Sequence, residues 1–192
     1  VSELPQVRNS SWNVPNALTV LRLFLVPVFG WLLLREDGAN STSRILAAAV
    51  FVIASLTDLA DGEIARRQNT VTSFGKIADP IADKALTGMA LIGLSLLGEL
   101  AWWITVVIII REVAVTLLRF WVIKHGVIPA SRGGKLKTLL LMVAIVGYLL
   151  PVSEPLITAR EWVMYAAVLV TVVTGVDYFV RAFKLRSSAR NE

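Results

Sequence analysis

Between Asp58 and Lys84 the chain reads DLADGEIARRQNTVTSFGKIADPIADK, and five carboxylates fall inside it: Asp58, Asp61, Glu63, Asp79 and Asp83. Asp58, Asp61 and Ala65 stand at i, i+3 and i+7, and Asp79 and Asp83 at i and i+4, so on helices each set shares one face. The polar connection between the sets is short, which makes the two helices antiparallel neighbours and brings four aspartates to one end of a hairpin. Carboxylates crowded in an apolar layer repel one another, and each costs at least ~2.5 kcal/mol to hold inside a membrane. Hard divalent cations offset that cost with oxygen ligands alone, Mg²⁺ above all where substrate phosphate oxygens complete the shell. Two such ions clamp the attacking and leaving oxygens of a phosphoryl displacement. Gly62, Ala65 and Gly75 let a bulky group approach the backbone, and Arg66 is suited to a pyrophosphate. Solvated pairing with Arg66, Arg67, Lys76 and Lys84 would account for a single acid. It accounts poorly for four on two facing helices with glycines at turn spacing.

The elements that must carry these residues are apolar. Of 192 residues 56% are hydrophobic and 17% charged, with a mean hydropathy of +0.69, outside the usual mix of a soluble domain. The absence of cysteine and the single histidine, His125, remove disulfides, thiolate metal sites and a cysteine nucleophile, and argue against a His-centred triad. Any metal must be held by oxygen. A crossing of about 30 Å needs roughly 20 helical residues, and six stretches of about that length can be read: 17–35, 44–65, 77–98, 101–123, 136–152 and 162–183. The expected fold is all-α, a polytopic bundle of six transmembrane helices forming a single domain over residues 1–192. Residues 1–16 form a juxtamembrane N-terminal segment with a weak interfacial-helix pattern. The first span carries Arg22 and Pro27 and lacks a small-residue cleavage site, so it does not read as a signal peptide.

Basic residues fix the orientation. Arg8, then Arg66, Arg67 and Lys76, then Lys124, Arg132, Lys135 and Lys137, then Arg181, Lys184, Arg186 and Arg190 fall on the side of the N-terminus, against Arg35, Arg44 and Arg160 on the other. Both termini and the aspartate hairpin are therefore expected to be cytoplasmic. The net charge of +5 reads as topology and anionic-lipid contact, not as a nucleic-acid footprint.

The spacing Asp58-x2-Asp61-Gly62-x2-Ala65-Arg66-x8-Gly75-x3-Asp79-x3-Asp83 resembles the signature of the CDP-alcohol phosphotransferases, integral membrane enzymes that build phospholipid head groups. NVPNALTVLRLFLVPVF at the first span, IIREVAVTLLRFW in the fourth and GGKLKT opening the fifth are similar to the bacterial branch whose acceptor is glycerol 3-phosphate. The resemblance runs from Asn13 to about Ile145. It implies a homodimer of six-helix chains in the bacterial inner membrane, with the site facing the cytoplasm and holding two divalent cations, Mg²⁺ or Mn²⁺. It makes Asp58, Asp61, Asp79 and Asp83 metal ligands, and Asp83 also the base for the acceptor hydroxyl. Gly62, Ala65, Arg66 and Gly75 then hold the CDP moiety of CDP-diacylglycerol, with Asn16 and Thr19 approaching from the first span.

The remaining intramembrane cations bear on the acceptor. Arg111 and Arg119 lie eight residues apart on the fourth span, and Lys135 and Lys137 open the fifth. Together they are expected to form the phosphate pocket for glycerol 3-phosphate, although Arg111 could pair with Glu112 and the lysines could serve topology. Leu141 stands where relatives often carry glutamine, which leaves cardiolipin synthesis from phosphatidylglycerol, or another alcohol acceptor, as the alternative enzyme reading. A cation transporter is the non-enzyme alternative. A conducting pathway places acids near mid-membrane on several spans, not on one hairpin at the edge.

Overall fold

The computed structural model describes residues 14–68, 73–122 and 132–188, and among these every regular element is helical. Six α-helices follow in order: α1 Val14–Leu34, α2 Ser41–Gln68, α3 Ser73–Leu96, α4 Trp102–Val122, α5 Arg132–Leu149 and α6 Leu156–Ser188. They overlap the six apolar stretches in order, with α2 and α6 longer at both ends. Of the N-terminal segment 1–16 with its weak interfacial pattern, residues 1–13, Trp12 among them, lie outside the described residues, as does His125, and α1 begins at Val14.

Among the described residues two segments, Ala17–Gly38 and Leu156–Ser187, are by themselves long and apolar enough to cross a membrane, and Ser41–Thr57 and Lys84–Leu96 are shorter apolar stretches. The apolar part of α2 rises about 25 Å at 1.5 Å per residue and gives way at Asp58 to the charged remainder. α3 starts polar and becomes apolar after Lys84, while Arg111 and Glu112 interrupt α4.

The core forms where α1, α2, α3, α5 and the ends of α4 and α6 meet. Phe29, Leu33, Phe51, Leu91, Leu94, Ile108, Ile145, Leu149 and Met164 are all buried there, with the Phe29 and Phe51 rings 5.8 Å apart. Ser95 and Thr105 bridge α3 to α4 at 2.7 Å, and Thr105 lies within hydrogen-bond distance of the Leu91 carbonyl at 3.2 Å, so these buried hydroxyls are satisfied. The outward faces are as apolar as the core. Phe24 is 68% exposed, and Ile53, Ile110, Leu117, Leu169 and Val173 also point outward, a distribution that suits lipid and not water.

At the end of the bundle where α1 runs out, Asn40 caps α2 by accepting the Ser43 N–H at 2.9 Å. Gly98, at φ +73°, ends α3 with the Glu99 N–H returning to the Leu94 carbonyl at 3.0 Å, a left-handed turn that glycine adopts without strain. Arg44 ties this end together. Its guanidinium pairs with both oxygens of Glu99 and donates to the Tyr148 carbonyl and, at 3.2 Å, to that of Leu149. It thereby joins α2 to the α3–α4 turn and to the last carbonyls of α5. Arg44→Ala is expected to cost about 2–3 kcal/mol, below the 3–5 of a fully buried pair because Glu99 reaches water. Thermal unfolding in detergent checks it. Trp31, Trp102, Trp103 and Trp162 sit at this same end, with Arg35 over Trp31 at 5.2 Å and Trp103 stacked on Tyr165 at 6.4 Å. Trp121 marks the other end, where it meets Arg186 at 3.9 Å. This is the arrangement of interfacial aromatic belts.

Candidate active site

The aspartate segments are helical throughout their described length. Asp58, Asp61, Gly62, Ala65 and Arg66 occupy the last third of α2, and Gly75, Asp79 and Asp83 the first half of α3. The i, i+3 and i, i+4 spacings therefore translate into one helical face each. α2 and α3 pack against each other and α1 packs against both. The side chains from 58 to 80, and that of Asp83, lie outside the described residues, as does that of Asn16 on the first turn of α1. Among the described side chains no three of His, Cys, Asp or Glu come together. The donor set itself, four carboxylates on two adjacent helices, offers the hard oxygen ligands that hard divalent cations take.

Thr19 is fully buried, and Arg22, one turn further along α1, is 1% exposed. A guanidinium so deep in the bundle was legible in the sequence as an intramembrane charge, but its complete burial was not.

The four basic residues assigned to the acceptor separate into two kinds. Arg111 and Lys137 meet on one carboxylate oxygen: Glu112 Oε1 accepts from Arg111 Nη1 at 2.8 Å and from Lys137 Nζ at 2.6 Å. All three side chains are largely buried. Arg111 is also anchored to α6, donating from Nε to the Thr171 carbonyl at 3.1 Å and from Nη2 to Thr174 Oγ1 at 3.1 Å. Arg119 and Lys135, by contrast, present exposed side chains. Leu141, one turn beyond Lys137, is buried in the hydrophobic core. Asp177 pairs with Arg181 on the exposed face of α6 at 2.9 Å.

Gly175 makes room for Arg111. A Cβ there would sit 3.1 Å from Arg111 Cγ and 3.3 Å from Nε, and the arginine cannot yield without losing bonds to Thr171, Thr174 or Glu112. Gly175→Ala is therefore expected to cost about 1–3 kcal/mol, read as a lowered unfolding midpoint in detergent.

The chain belongs to the CDP-alcohol phosphatidyltransferase family, whose model matches residues 12–173. Among its relatives, "Probable phosphatidylglycerophosphate synthase" of Mycobacterium tuberculosis is 54% identical over 172 residues, covering 90% of this chain and 82% of the relative. The "CDP-diacylglycerol–glycerol-3-phosphate 3-phosphatidyltransferase" of Bacillus subtilis is 39% identical over 184 residues, covering 88% and 94%. The protein of that name from Rickettsia typhi is 40% identical over 172 residues, covering 87% and 95%.

Proposed function

We propose that this chain transfers the phosphatidyl group of CDP-diacylglycerol to sn-glycerol 3-phosphate, giving phosphatidylglycerol phosphate and CMP. It does so at the cytoplasmic face of a bacterial inner membrane that its six helices cross, with both termini inside, as a single-domain chain paired in a homodimer. The observation that carries the reading is the donor set, Asp58, Asp61, Asp79 and Asp83, at one-face spacing on two adjacent helices of a chain in this family. The acceptor follows from the relatives' names and from the cationic pair Arg111 and Lys137. Arg119 and Lys135 complete the basic approach to it.

In the proposed reaction the acceptor hydroxyl gives its proton to Asp83, and its oxygen forms a bond to the phosphorus that bears diacylglycerol. The bond from that phosphorus to the bridging oxygen breaks, and CMP leaves with the electron pair. Arg66 holds the pyrophosphate through charge-assisted hydrogen bonds. Gly62, Ala65 and Gly75 admit the CDP moiety close to the helix backbones, with Asn16 and Thr19 facing it from α1. Two divalent cations held by the four aspartates, when bound, neutralise the pyrophosphate and polarise its oxygens.

The test is CMP release by purified protein in detergent with Mg²⁺ and CDP-diacylglycerol, offering acceptors one at a time. Glycerol 3-phosphate is expected to support release, and dephosphorylated glycerol to be a poor substitute. Phosphatidylglycerol outperforming glycerol 3-phosphate would reassign the chain to cardiolipin synthesis.

A further inference from the structure

We infer that Glu112 is a positioning residue for the acceptor: a single carboxylate oxygen gathers Lys137 of α5 and Arg111 of α4 into one cationic pair that faces the acceptor's phosphate. The inference rests on the glycerol 3-phosphate reading above, and it concerns a residue outside the family signature.

The geometry has three parts. First, both cations use the same atom, Oε1, at 2.6 and 2.8 Å. Their nitrogens can then be no further apart than those two contacts laid end to end, within reach of two oxygens of one phosphate. Without the acid between them the cations would repel, and the flexible lysine stem would move its ammonium away. Second, the two cations are held unequally. Arg111 is fixed from α6 by the Thr171 carbonyl and Thr174 Oγ1, and Thr174 is itself held to the Val170 carbonyl at 2.7 Å. Lys137, 9% exposed, has Glu112 as its partner among the described residues. Its position therefore depends on that acid, while two of its three donors remain for a ligand. Third, two cations and one carboxylate leave a net charge of +1. That attracts a phosphate, yet spares the apolar layer two uncompensated charges while the site is empty.

Initial rates of the full-length protein in detergent, varying each substrate against saturation of the other, test this. Glu112→Gln is expected to raise the glycerol 3-phosphate KM about tenfold and to leave the CDP-diacylglycerol KM within about twofold. Lys137→Met is expected to do the same. Because the acid acts through the lysine, the double variant is expected to match Lys137→Met within about twofold instead of multiplying the losses. Glu112→Asp keeps the charge one methylene short and is expected to cost about threefold in acceptor KM. It carries the test should Glu112→Gln yield no folded protein. An acceptor KM that is unchanged or lowered in Glu112→Gln, or in Glu112→Asp where that variant stands in, overturns the inference, as do multiplying losses in the double variant. If Lys137→Met raises the acceptor KM and Glu112→Gln does not, the inference alone falls. If Lys137→Met also leaves it unchanged, the acceptor pocket falls with it.

Discussion

Asp83→Asn is expected to lower kcat by about 10²- to 10⁴-fold, the usual contribution of a positioned general base, while the protein still folds and still binds CDP-diacylglycerol. The carboxamide keeps the size of the side chain and one oxygen able to meet a cation, but it cannot accept the proton of the acceptor hydroxyl. The loss is therefore expected in kcat, with the donor's KM little changed, which separates a missing base from a collapsed site. Donor binding and the unfolding midpoint in detergent serve as controls. A variant that turns over at near-normal rates rules out Asp83 as the base.

Exhaustive chelation is expected to reduce activity to below about 1% of the parent, with recovery on adding Mg²⁺ or Mn²⁺, because the four aspartates otherwise face the pyrophosphate as like charges. Asp58→Ala and Asp79→Ala each remove an anionic ligand, one from α2 and one from α3. Both are expected to move metal activation to higher cation concentration as well as to lower the rate. A ligand shift of this kind distinguishes metal binding from ordinary helix-end pairing, in which cation concentration has no effect. Activity that survives chelation contradicts the two-metal reading.

The helices were legible because each contains a long apolar run, and the membrane supplies the same constraint everywhere along the chain. α6 exceeds its apolar core because the basic stretch around Arg181, Lys184 and Arg186 continues the helix past the lipid layer. The shared-face placement of the aspartates was legible because it depends on local spacing, which a helix converts directly into a face. What escaped the sequence depends on packing between distant segments. Glu112 could be seen beside Arg111, but its bond to Lys137 spans 25 residues and requires α4 and α5 to meet at that level. Arg44 looked like one of three basic residues on the outer side. Its pairing with Glu99, 55 residues away, and its grip on the end of α5 make it a structural tie. Lys135 and Lys137 were alike as residues of one motif, yet two positions on a helix turn them to different sides, one exposed and one buried.

The most direct test of phosphatidyl transfer follows the atoms. Purified protein with Mg²⁺ and CDP-diacylglycerol is given glycerol 3-phosphate labelled in its phosphate, and the lipid product is extracted and weighed by mass spectrometry. Expected is labelled phosphatidylglycerol phosphate, formed in one-to-one amount with CMP and carrying both the acceptor's phosphate and the donor's lipid-bound phosphate. CMP released without label entering lipid, or labelled lipid formed without CMP, contradicts the assigned reaction.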